Sequence, residues 1–125
     1  MIFIYSGIAL FVLVLVFIIF YNKFIKLRNM VQEGWSLIDV QLRLRYDVIP
    51  NLVNTVKAYM KHEKTILTEV TALRAKAMET STPKGKSVSE NILTSKLSQL
   101  MVAVENYPEL KADEHFLKLQ EQIYN

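Results

Sequence analysis

The chain has 125 residues, a net charge of +3 and no cysteine. So mild and interspersed a positive charge excludes the basic footprint that holds a nucleic-acid backbone. The missing cysteine removes a thiol nucleophile but fits either side of a membrane.

Apolar residues crowd the N-terminus. Residues 1–22, "MIFIYSGIALFVLVLVFIIFYN", carry no charged side chain. About 20 apolar residues cross a bilayer core, and residues 2–21 supply them, among them Ile2, Leu10, Val16 and Phe20. Tyr5 and Tyr21 suit the two water–lipid boundaries. A secretory signal would have a basic start, a shorter apolar run and a small-residue cleavage site, and none is present. The first segment, residues 1–22, is therefore predicted to be a transmembrane helix.

A short basic linker follows at residues 23–30, predicted helical, with Lys23, Lys26 and Arg28. Nothing basic but the α-amine precedes the span. By the positive-inside rule this topology signal places the N-terminus outside and the rest of the chain in the cytoplasm. The bilayer is thus the first expected partner.

Residues 31–125 read as a cytoplasmic helical bundle, with helices at about 31–79, 88–105 and 113–125. Steps of four and three link Val31, Trp35, Ile38, Leu42, Arg45, Ile49, Leu52, Val56, Tyr59, Glu63, Ile66, Val70, Leu73 and Ala77. Only Arg45 and Glu63 break this apolar heptad seam, which implies left-handed supercoiling against a neighbouring helix. Leu37, Leu44, Val48, Val53, Met60 and Leu67 widen the stripe.

Pro50 falls on this helix in phase with the seam. Proline lacks an N–H and clashes with the preceding turn. No Gly or Asn stands just before Pro50 to close a helix, so the pattern favours one long helix kinked at Pro50. The alternative is a hairpin there, with Asp47 as N-cap and a four-helix up-and-down bundle as the result.

"TSTPKGKS" reads as a loop. Ser87 and Glu90 have capping-box spacing, so the next helix is expected from there. "NYPEL" reads as a turn, and Asp113 as the N-cap of a last helix carrying Phe116, Leu119 and Ile123. A first helix over residues 31–77 is about 70 Å long, too long for the later ones to cover. The uncovered apolar stripe predicts a helical partner: most simply other copies of this chain, or else another membrane protein. Val31, Trp35, Ile38, Leu42, Arg45, Ile49 and Glu63 are the expected oligomer interface, with Arg45 and Glu63 as register-setting polar pairs across it.

Catalytic signals are weak. His62-Glu63 begins like a zinc H-E-x-x-H, but Ile66 takes the second histidine position. Asp39, Arg43 and Asp47 are four apart, as in a solvated charge ladder. No catalytic, cofactor-binding or metal residue is assigned, and no cofactor is expected.

The segment "VQEGWSLIDVQLRLRYDVIPNLVNTVKAYMKHEKTILTEVTALRAKA" and, later, "YPELKADEHFLKLQE" resemble the LemA family. The resemblance covers nearly the whole chain. It implies a membrane-anchored, cytoplasmic, all-helical bundle of the bacterial inner membrane, without catalytic residues, loosely linked to envelope stress or export. Tyr46 stands where the family usually has histidine, and Asp113 and His115 replace commoner asparagines. Relatives usually continue several turns further, so a short or C-terminally truncated member is expected, which strengthens assembly between chains. The sequence as a whole predicts an all-α, self-assembling, non-catalytic membrane scaffold. The alternative is an adaptor or sensor subunit docking a separate membrane complex.

Overall fold

A computed structural model describes residues 1–124. It is helical almost throughout: α1 (Ile2–Tyr59), α2 (Lys64–Glu79), α3 (Pro83–Val104), the single turn α4 (Pro108–Lys111) and α5 (Glu114–Tyr124). No strand occurs among the described residues. Two compact units divide the chain, Met1–Val40 and Gln41–Asn125.

The first unit holds the N-terminal part of α1 and no other helix. It contains a window long and apolar enough to cross a membrane, none of it buried. Phe17 and Tyr21, four residues apart, stack with centroids 6.3 Å apart. Only Trp35 and Asp39 are even half-buried in this unit.

The second unit is a four-helix bundle built from residues 41–59 of α1 with α2, α3 and α5. Its core takes Tyr46, Ile49, Leu52 and Val56 from α1, Leu67, Val70 and Ala77 from α2, Leu93, Leu97, Leu100 and Val104 from α3, and Phe116, Leu119 and Ile123 from α5. Met60 and Leu110 close one end. Cross-helix contacts fix the directions. Arg74 near the end of α2 reaches Tyr46, and Lys96 of α3 meets Glu69 of α2 at 2.7 Å. Tyr59 at the end of α1 donates to Asp113 at the start of α5, 3.1 Å. Successive long helices therefore run up and down.

α1 passes unbroken through Pro50, as the favoured reading expects, and the alternative hairpin is absent there. Other expectations change. The expected helix over 31–79 is instead interrupted at residues 60–63, where Met60 ends the last turn and Glu63 N–H bonds the Met60 carbonyl at 3.2 Å. "MKHE" holds no helix breaker, so local preference did not mark the site. Packing decides it: folding back lets the stripes of α1 and α2 bury each other, where a straight rod would leave both in water. The buried set also shifts by one residue, since Met60 is fully buried while Tyr59 is 36% exposed.

α3 begins at Pro83, five residues earlier than expected. Thr82 is the N-cap, its Oγ1 accepting from Gly85 N–H at 3.2 Å, and Pro83 takes the first helical position. That position loses no hydrogen bond to proline. The last helix begins as expected, with Asp113 Oδ1 accepting from Phe116 N–H at 2.8 Å. This bond, foremost, holds the Asp113 carboxyl below the ordinary carboxylate range.

Gly85 serves the α2–α3 turn by its lack of a side chain. A Cβ there would lie 2.6 Å from Thr80 Cγ2 and 2.7 Å from the capping Thr82 Oγ1. Gly→Ala inside a helix ordinarily stabilises by about 0.5–1 kcal/mol. Gly85→Ala is expected to invert that sign and cost about 1 kcal/mol by displacing the cap. Urea denaturation of the variant gives the sign directly.

The Asp113 cap makes stability depend on acid. Its carboxyl titrates lower when folded than when unfolded, so its stabilising contribution is complete above the unfolded value and lost as pH falls through the folded one. Thermal unfolding followed from neutral to acid pH should show a shallower acid limb in Asp113→Asn than in the parent. Parallel limbs would discount the cap.

Candidate functional site

The densest polar cluster of the bundle surrounds Pro50. In a regular helix the N–H of residue 50 would bond the carbonyl of residue 46, and proline has no N–H to give. The structure supplies the donor from another helix: Arg74 Nε of α2 donates to the Tyr46 carbonyl at 2.6 Å. Arg74 Nη2 also lies 4.0 Å from Asp47 Oδ1. A break in α1 hydrogen bonding thus becomes a joint between α1 and α2.

The other half of the cluster joins α1 to α3. Arg45 Nη1 donates to Glu90 Oε2 at 2.9 Å, and Nη2 to Thr94 Oγ1 at 3.2 Å. Tyr46 Oη donates to the second Glu90 oxygen, Oε1, at 2.5 Å. Burial first, and then the Glu90 bond, push the Tyr46 phenol well above its usual range, so it remains a donor. The Arg45 and Glu90 side chains are 19% and 13% exposed. Arg45 Nε is buried without a hydrogen-bond partner.

This arrangement holds helices together. Both Glu90 oxygens are engaged, and the Arg45 and Tyr46 hydrogens point at them. Among the described residues no group of three or more His, Asp or Glu could hold a metal ion. His62 lies in the α1–α2 connection and His115 on α5, both exposed. Glu63 precedes α2 without a side-chain cap bond. A groove of about 610 Å³ between α1 and α2 has an apolar floor including Val53 and Leu67, with Lys57 and Lys64 also lining it.

The expected interface residues separate into two groups. Ile49 lies in the chain's own core at 1% exposure, and Leu42 packs against that core. Arg45 pairs with Glu90 of the same chain rather than across an interface with Glu63. These three are corrected for one reason: α2, α3 and α5 fold back over the distal seam. Val31 and Ile38 remain 74% and 49% exposed, with Trp35 half-buried. Ile2, Tyr5, Leu10, Val16, Phe20, Tyr21, Lys23, Lys26 and Arg28 all lie exposed on α1. Sequence reasoning missed the partners Arg74 and Glu90. The available signal was the freed Tyr46 carbonyl, which any proline inside a helix demands be satisfied.

Removing Arg74 leaves that carbonyl unpaired, so Arg74→Met is expected to cost about 1–3 kcal/mol. Pro50→Ala restores an N–H within α1, and in that background Arg74→Met should cost markedly less. A double-mutant cycle by chemical denaturation measures the difference, and equal costs in both backgrounds would refute the joint.

Residues 34–125 match the model of the LemA family. No curated protein matches the chain.

Proposed function

The chain belongs to the LemA family, and on that premise we propose that it is a membrane-anchored, non-catalytic helical scaffold that self-assembles beside the membrane. One observation carries this reading: residues 31–38 of α1 keep Val31, Leu37 and Ile38 open to solvent next to an apolar span. An exposed apolar stripe on an ordered helix marks a contact surface.

The span anchors the chain as a single pass. Lys23, Lys26 and Arg28 hold the C-terminal side in the cytoplasm, where they meet anionic headgroups of a bacterial inner membrane. The bundle is the rigid body that the anchor carries, tied by the Arg74–Tyr46 and Arg45–Glu90 contacts. Assembly uses the proximal stripe, because the distal seam is consumed in the chain's own core. A second reading, an adaptor docking a separate membrane complex, draws on the lysine-edged apolar groove between α1 and α2.

Energy transfer between donor- and acceptor-labelled full-length chains in liposomes tests the scaffold. Transfer should rise with protein density, and Ile38→Lys should weaken association by about tenfold or more. Absence of transfer at high density would favour the adaptor.

A further inference from the structure

Helical spacing resolves the first unit into two unlike faces beyond the span. Leu27, Met30, Gly34 and Leu37 are separated by three, four and three, so they share one face. Leu27, Met30 and Leu37 are 53%, 57% and 62% exposed. Asn29, Gln32 and Ser36 share the other face, and Ser36 satisfies its hydroxyl locally on the Gln32 carbonyl at 3.0 Å. This stretch is amphipathic, and its apolar side is exposed.

Gly34 is the second, independent observation. Glycine inside a helix costs about 0.5–1 kcal/mol relative to alanine. A Cβ at Gly34 would meet nothing within 4 Å. The chain's own packing therefore gives no reason for a glycine at the centre of this face. A close backbone approach from outside does, since small residues let two helices come into near contact.

Resting on the scaffold reading, we propose that α1 pairs in parallel and in register with α1 of a second copy, the two backbones meeting at Gly34. The occupant follows from area and geometry. Residues 27–38 form a strip about 18 Å long and about 10 Å wide, so two such strips bury only about 400 Å² together. Stable soluble partners bury about 1,200 Å² or more, so this patch cannot hold a free protein from solution. A copy held by the same span is already confined and oriented, which raises its effective concentration. Identical anchors also set Gly34 of both copies at one height above the bilayer, and forbid the antiparallel arrangement.

The absence of cysteine makes the test clean. Single variants Met30→Cys, Leu37→Cys, Gln32→Cys and Ser36→Cys are oxidised in the full chain in liposomes. Disulfides need Cα atoms about 4.4–6.8 Å apart, so Met30→Cys and Leu37→Cys should form dimers and Gln32→Cys and Ser36→Cys should not. Gly34→Leu adds bulk where the single chain has open space, so bundle melting should be unchanged while energy transfer between copies weakens about tenfold or more. Should the chain associate while cross-links ignore the face, or while Gly34→Leu has no effect, the Gly34 contact is wrong and the scaffold reading stands. If the unmodified chain fails to associate, both fall.

Discussion

A carbonyl without a helical donor organises the bundle. Pro50 leaves the Tyr46 C=O unserved inside α1, at a place where Tyr46 itself is 3% exposed. Water cannot serve a group so deeply placed, and an unpaired buried carbonyl costs about as much as a lost hydrogen bond. Arg74 from α2 ends the deficit. The same residue, Tyr46, turns its phenol to Glu90 of α3, and neighbouring Arg45 grips the other Glu90 oxygen. One turn of α1 therefore fixes two other helices, and the defect introduced by proline sets their register.

The charged pair within this cluster contributes alignment more than stability. Arg45 and Glu90 are largely withdrawn from water, and the desolvation of both charges offsets much of their attraction. What the pair secures is position: a fork of two donors matches Glu90 and Thr94 only when α1 and α3 are in one register. The sequence marks Arg45 as an odd charge on an apolar seam, but the expected pairing with Glu63 across an interface is replaced by Glu90 of the same chain. That partner is not legible, because Glu90 reads as half of a capping box with Ser87. The cap belongs instead to Thr82 and Pro83, and Glu90 turns to Arg45 and Tyr46 of α1.

Other features divide along the same line between local and distant causes. The apolar span, the Asp113 cap and the passage of α1 through Pro50 rest on local chemistry, and each could be read from a few adjacent residues. The interruption at residues 60–63 has no such signal. "MKHE" would continue a helix, and the four-and-three spacing runs through it in phase. The chain turns because the stripes on either side are each other's best cover, a comparison between whole conformations that no short window contains. An unbroken helix over 31–79 places Ile49 on the expected interface, whereas the bundle itself fills that position.

The corrected turn makes the remaining exposure more informative. In the second unit, α2, α3 and α5 bury the seam residues Ile49, Leu52 and Val56. Residues 27–38 stand outside that cover, and they retain ordered helical geometry with a polar face opposite an apolar one. A segment with no burial role and no partner would tolerate polar residues at Met30, Val31 and Leu37 and would gain helix stability from alanine at Gly34. This sequence does neither. Residues 27–38 of α1 therefore keep an exposed apolar face opposite a polar one, and the proposed contact rests on that feature.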